Sequence, residues 1–130
     1  MQLRNLEQLR AIHALKASKS EQKNYVGINN GEVVKKVPTM IRENGFLEAL
    51  AFAIEKEAGY DSVFIAIMQH LVKVKKLTVG ELEECKEQKP CEKFMAVLCK
   101  GDSSRLQVIT AESMAYLNYL RRFVKPEKKD

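Results

Sequence analysis

Apolar residues recur along this chain at intervals of three and four, and apolar–polar alternation never runs beyond four residues. Intervals of three and four place side chains on one face of an α-helix, whereas alternation is typical of a β-strand. The clearest example is the closing segment. The residues spaced at the helical period there are Leu106, Ile109, Ser113, Leu117 and Leu120. The sequence therefore predicts an all-α fold.

Helix boundaries are indicated by turn and capping residues. The first helix is predicted from Gln2 to about Lys23, and Asn44-Gly45 ends a second helix that Pro38 should start or kink. Thr78 to Glu81 matches a capping box, and Pro90 suits the first position of the next helix. These signals predict short helices joined by tight turns.

Composition is typical of a soluble globular protein, with 45% hydrophobic and 30% charged residues among 130. The longest apolar stretches are interrupted by polar residues and fall short of the roughly 20 residues that span a bilayer. The start of the chain is polar where a signal peptide would be apolar. We therefore expect one compact cytoplasmic domain over residues 1–130, with a disordered tail at 126–130.

Residues that could catalyse a reaction or bind a metal do not cluster. Cys85, Cys91 and Cys99 lie six and eight residues apart without a C-x-x-C pair, which argues against zinc and a disulfide framework. Each thiol is predicted on an apolar face. His13 and His70 belong to no ligand pair and are interpreted as structural. The sequence thus predicts a protein that is not an enzyme, with no cofactor and no metal site.

Basic residues are grouped near the second and last helices. Twenty-two basic against seventeen acidic residues give a net charge of +5, which favours a polyanionic partner. An arginine can bond a phosphate through two donors and can stack on a base. The pattern alone is equally consistent with solubility or helix-end charge. The candidate RNA-binding residues are Lys35, Lys36, Arg42, Arg105, Arg121, Arg122 and Lys125.

Two blocks of sequence resemble a known family. Lys35–Phe52 is similar to the pattern K-x-P-x-x-I-x-x-N-G-L-x-x-A-L-A-F, and Arg105–Phe123 looks like the closing helix of the same family. Together with an N-terminal Leu-Glu-Gln-Leu-Arg-Ala segment, they resemble the small helical subunit of the Cmr complex, the type III-B CRISPR effector. The resemblance covers nearly the whole chain and is weakest between Lys73 and Lys100. Three departures leave every basic position in place: Phe46 for leucine, Ser113 for alanine, and Asn118-Tyr119 for an aromatic pair.

The resemblance implies a bundle of about six helices that stacks on copies of itself, forming a minor filament beside larger backbone subunits. It implies a non-catalytic role in antiviral defence, because the chemistry of such complexes belongs to the backbone subunit and to a large polymerase-like subunit. The implied partners are these two subunits, further copies of the chain, guide RNA and target RNA, with no membrane.

Two other classes of protein fit parts of the pattern. Short helices around Asn44-Gly45 could mimic a helix-turn-helix, so a helical DNA-binding regulator is the alternative; it predicts a stable dimer that binds duplex DNA. A cysteine hydrolase using Cys91 or Cys99 is the other, and it requires a reactive thiolate.

Overall fold

The structure is a computed structural model that describes residues 5–19, 32–86 and 88–124. These residues form helices and turns without a strand, which confirms the all-α prediction. Their helices are α1 (Leu6–Ser18), α2 (Glu32–Asn44), α3 (Phe46–Lys56), α4 (Tyr60–Lys73), α5 (Val79–Lys86), α6 (Pro90–Lys100) and α7 (Ser103–Phe123). The described part of the chain thus has seven helices rather than about six. None of these helices has the length and apolarity needed to cross a membrane.

The first helix is shorter than its apolar pattern predicts. Asn5 caps it, because its Oδ1 accepts a hydrogen bond from the Gln8 amide at 2.8 Å and its own amide donates to Gln8 Oε1 at 2.8 Å. The helix ends at Ser18, where Lys19 forms the C-cap. The predicted bounds, Gln2 and Lys23, lie outside the described residues.

Two glycines with positive φ separate the central helices. Gly45 has φ of +93° between α2 and α3, and Gly59 has φ of +91° immediately before α4. Side chains with a Cβ rarely adopt these values, so glycine is favoured at both turns. Gly59 is the N-cap of α4, which begins at Tyr60, so the nearby Asp61 and Ser62 lie inside the helix and do not cap it. Pro38 lies inside α2 and does not start it.

Local capping signals defined the later helices correctly. The Thr78 amide donates to Glu81 Oε1 at 2.9 Å and the Glu81 amide donates to Thr78 Oγ1 at 3.0 Å, which confirms the capping box. Pro90 occupies the first turn of α6. The Asp102 side chain accepts a hydrogen bond from the Arg105 amide and caps α7.

The core is built mainly around α4 and α7, while α1 lies at its edge. Phe46 meets Phe64 and Phe94 edge to face, with ring centroids 5.5 and 5.9 Å apart. Helix α1 packs chiefly against α7 and more lightly against α4. It buries only Ala14 and Ser18. Its attachment to the bundle therefore depends less on apolar burial than that of α4 or α7.

Candidate nucleic-acid interface

A groove runs between α1 and α7 near the carboxyl end of α7. Its volume is about 580 Å³. Most of its lining residues are polar or charged, and three are arginines. The lining consists of Glu7, Arg10, Ala115, Asn118, Tyr119, Arg121 and Arg122. Two of these arginines, Arg121 and Arg122, belong to the predicted RNA-binding set, so the groove is the candidate site.

Arg121 and Arg122 occupy the last turn of α7. Arg121 is half-buried and Arg122 is exposed. Among residues 5–19, 32–86 and 88–124, neither guanidinium has a hydrogen bond or an ion pair. Both positive charges also lie at the negative end of the helix dipole, where they stabilise α7 without any ligand. Within the described residues, both side chains therefore keep their donors available for a ligand.

Tyr119 provides an aromatic surface beside these arginines. Its hydroxyl donates to Glu7 Oε1 at 2.8 Å, joining α7 to α1 across the groove, and this hydrogen bond raises the pKa of Tyr119. Its ring stacks on Phe123 with centroids 6.3 Å apart. An aromatic ring beside a cation is the combination that single-stranded nucleic acids contact through bases and phosphates.

Arg105 lies at the opposite end of the same helix. It stands sixteen residues before Arg121, which is about 24 Å along a helix axis. Its guanidinium holds the Glu81 carboxylate through contacts of 2.6 Å from Nη2 to Oε1 and 2.9 Å from Nη1 to Oε2. These bonds lower the pKa of Glu81 to about 2. Arg105 is therefore part of an internal ion pair and is separated from the groove.

The other predicted residues belong to α2 or fall outside the described chain. Lys35, Lys36 and Arg42 have exposed side chains on α2. Lys125 is outside the described residues. The structure thus brings Arg121 and Arg122 together, places three residues on another helix and separates Arg105. Which of the seven residues contact RNA stays a prediction.

A buried polar network beneath the groove was missed from the sequence. Glu112 accepts from Arg10 Nε at 2.8 Å and from Arg10 Nη2 at 2.7 Å, and its Oε2 lies 2.8 Å from His70 Nε2. His70 Nδ1 in turn lies 2.8 Å from His13 Nδ1. The His70 ring stacks on Tyr116 with centroids 4.3 Å apart. The two histidines, which look isolated in the sequence, therefore contact each other.

One signal could have indicated this network. Glu112 falls three residues after Ile109 and four before Tyr116, on the apolar face of α7, and only 3% of it is exposed. A carboxylate at such a position needs a buried partner. Its partners lie 42 and 102 residues away along the chain, so no local pattern could identify them.

The charges in this network are set by burial and by the two partners of Glu112. Burial alone would raise the pKa of Glu112, but hydrogen bonds from Arg10 and His70 outweigh it and lower the pKa. Burial lowers the pKa of His70 despite the opposing carboxylate. Burial and then His70 lower the pKa of His13 to about 4. At neutral pH the carboxylate is therefore ionised and both imidazoles are neutral.

A family model described as CRISPR-associated protein (Cas_Cmr5) matches residues 5–127. The chain belongs to this family. The matched region includes all seven helices and both walls of the groove. Membership indicates a subunit of a Cmr, type III-B CRISPR complex and confirms the resemblance seen in the sequence. The chain has no significant match among curated proteins or among solved structures.

The cysteines of this Cas_Cmr5 chain are free thiols. Cys85 and Cys91 are buried, whereas Cys99 is exposed, so the prediction of an apolar face was wrong for Cys99. Burial raises the pKa of Cys91 to about 12, which keeps the thiol protonated and weakly nucleophilic at neutral pH. Within the described ranges, no group of three or more His, Cys, Asp or Glu side chains could hold a metal ion.

Proposed function

We propose that this chain is a non-catalytic subunit of a type III-B CRISPR ribonucleoprotein. It stacks on copies of itself as a minor filament and helps to hold guide RNA and target RNA in antiviral defence. Its protein partners are the backbone subunit and the large polymerase-like subunit. The family match supports membership in the complex. The observation that carries the RNA role is the pair Arg121 and Arg122 at the α1–α7 groove, whose guanidinium groups have no partner among the described residues.

The charge of the groove favours a polyanion. Arg10 is neutralised by Glu112, and the Glu7 carboxylate accepts the Tyr119 hydroxyl. The two charges of Arg121 and Arg122 exceed the single negative charge of Glu7, so the groove carries an excess of positive charge. Their planar guanidinium groups match phosphate oxygens, and such contacts do not depend on base sequence. We infer that the subunit binds the RNA backbone.

A second groove has the opposite character. It lies between α2 and α3 and is lined by Met40, Asn44, Glu48, Ala49, Ala51, Phe52 and Glu55. Its two carboxylates would repel a phosphate, and it has no basic residue in its lining. The contrast supports an RNA contact at the α1–α7 groove rather than one spread evenly over the surface.

A double variant, Arg121→Ala with Arg122→Ala, tests the proposal. We expect the assembled complex to bind target RNA at least about tenfold more weakly, because two charge-assisted hydrogen-bonding groups are removed. The matched control is Lys86→Ala with Lys89→Ala, which removes the same charge from exposed side chains on and near α5. The measurement is a titration with labelled RNA at fixed ionic strength.

The two double variants distinguish local contact from net charge. Equal loss of affinity in both would mean that overall charge alone attracts RNA, and unchanged binding in the arginine variant would refute the proposed contact. A stable dimer that prefers duplex DNA over single-stranded RNA would instead support the DNA-binding regulator.

A further inference from the structure

Polar contacts contribute to the attachment of α1 to the bundle. Only Ala14 and Ser18 of this helix are buried. Three side chains of α1 make hydrogen bonds to other helices: Glu7 to Tyr119, Arg10 to Glu112, and His13 to His70. The last of these contacts joins two groups that bind protons near neutral pH in water.

The protonation state of the histidines follows from their partners. Ionised Glu112 can only accept, so His70 Nε2 must donate to it across 2.8 Å. Neutral His70 then presents an unprotonated Nδ1, and His13 Nδ1 must donate to that atom across 2.8 Å. Every hydrogen bond in this chain of contacts is satisfied when both rings are neutral.

Protons can be added to this arrangement only once without breaking it. One proton is accommodated, either on the outer nitrogen of His13 or on His70 with His13 changing tautomer. A second proton places two N–H groups against each other at 2.8 Å, where neither can accept. Beyond the neutral state, the docked form of α1 therefore takes up at most one proton on the pair, while separated histidines take up two in acid.

We propose that the His13–His70 contact makes the docking of α1 proton-sensitive, so that α1 packs on α4 and α7 at neutral pH and separates from them in mild acid. This inference does not depend on RNA binding. It follows from the difference in bound protons, because acid favours whichever form binds more of them.

Most charges around the pair also disfavour additional protons. Arg10 and Lys16 of α1 and Lys73 of α4 disfavour a proton on the rings. The Glu112 carboxylate of α7 favours one on His70, but Arg10 neutralises it, and Tyr116 of α7 covers the His70 ring. The lowered pKa of His13, about 4 against 6.5 in water, agrees with this balance. The window for release is thus between pH 6.5 and about 4.

Hydrogen exchange of the full chain tests the proposal. From the pKa of about 4 against 6.5, the docking equilibrium should fall about thirtyfold between pH 7.5 and pH 5 through His13 alone. We expect the protection factors of α1 amides, corrected for intrinsic exchange, to fall by that factor while those of α6 stay constant. The glutamine of His13→Gln can still donate to His70 but cannot titrate. In this variant, the protection factors of α1 should decrease much less between pH 7.5 and pH 5.

The control is Lys19→Gln, which removes a charge at the end of the same helix and should keep the full fall. An NMR titration of the wild-type imidazoles needs no variant, and a pKa of His13 near 6.5 would overturn the proposal. So would equal α1 protection at both pH values, or a fall that His13→Gln leaves intact. A fall abolished by EDTA would assign the effect to a bound metal instead.

Discussion

Two adjacent buried residues of α7 differ in whether their polar groups are hydrogen-bonded. Glu112 is 3% exposed, and its carboxylate receives hydrogen bonds from Arg10 and His70. Ser113 is fully buried, and within the described residues its hydroxyl has no hydrogen-bond partner. A buried polar atom without a partner destabilises the fold.

We expect Ser113→Ala to stabilise the protein by about 1 kcal/mol. The change removes the desolvated hydroxyl and introduces the best helix former, and it leaves almost no cavity. Urea denaturation at pH 7 measures the free energy of unfolding. Thr110→Ala is the matched control, because it gains the same helix preference but removes a hydroxyl that already donates to the Leu106 carbonyl at 2.7 Å. Destabilisation by Ser113→Ala would show that the hydroxyl has a stabilising partner.

Helix α7 has two differently arranged ends. Near its start, Arg105 binds Glu81 and fixes α7 to the first turn of α5. At its end, Arg121 and Arg122 face the groove shared with α1. One helix therefore combines a structural arginine and two candidate ligand-binding arginines, although all three look equivalent in the sequence.

The Glu81–Arg105 pair should contribute stability that depends on pH. The folded pKa of Glu81 is about 2 against an ordinary 4.5, so its contribution is present above pH 4.5 and is lost as the pH falls from 4.5 towards 2. Both side chains are partly solvated, which limits the contribution to about 1 kcal/mol.

Glu81→Gln should thus lower the free energy of unfolding by about 1 kcal/mol at pH 7 and have little effect at pH 2.5. The glutamine can still accept from the Thr78 amide, so the cap is kept. Urea denaturation at both values gives the comparison, with the exposed Glu83→Gln as control. An equal loss at both pH values would mean that the carboxylate charge contributes nothing.

Local features of the helices could be predicted from the sequence, and contacts between helices could not. The capping box of Thr78 and Glu81 depends on residues three apart, and the positive φ of Gly45 depends on one residue. The His13–His70 contact joins positions 57 residues apart, and only packing brings them together. The same limit applies to Arg105, because its position near other basic residues in the sequence gives no indication that it pairs with Glu81.

The whole molecule distributes its charge unevenly. A net charge of +5 is compatible with an acidic groove between α2 and α3 and with an arginine-bearing groove between α1 and α7. A single copy offers few phosphate contacts, so its affinity for RNA should be low. Several copies in line would act at high effective concentration along one strand.

The salt dependence of RNA binding tests whether several copies contribute phosphate contacts together. If one copy neutralises roughly three phosphates of single-stranded RNA, the logarithm of its binding constant should fall with the logarithm of salt concentration with a slope of about −2. The assembled complex should show a steeper slope, because more contacts act together. Titrations between about 50 and 200 mM salt measure both slopes. A slope near zero for the isolated subunit would refute electrostatic binding.

Helix α1 forms one wall of the arginine groove while burying only two of its own side chains. If a polyanion contacts both walls, part of its binding free energy is used to keep α1 docked. Thermodynamic reciprocity then requires the occupied groove to hold α1 more firmly than the empty one does. Helix α1 would in that case report occupancy to any neighbour that contacts its outer face.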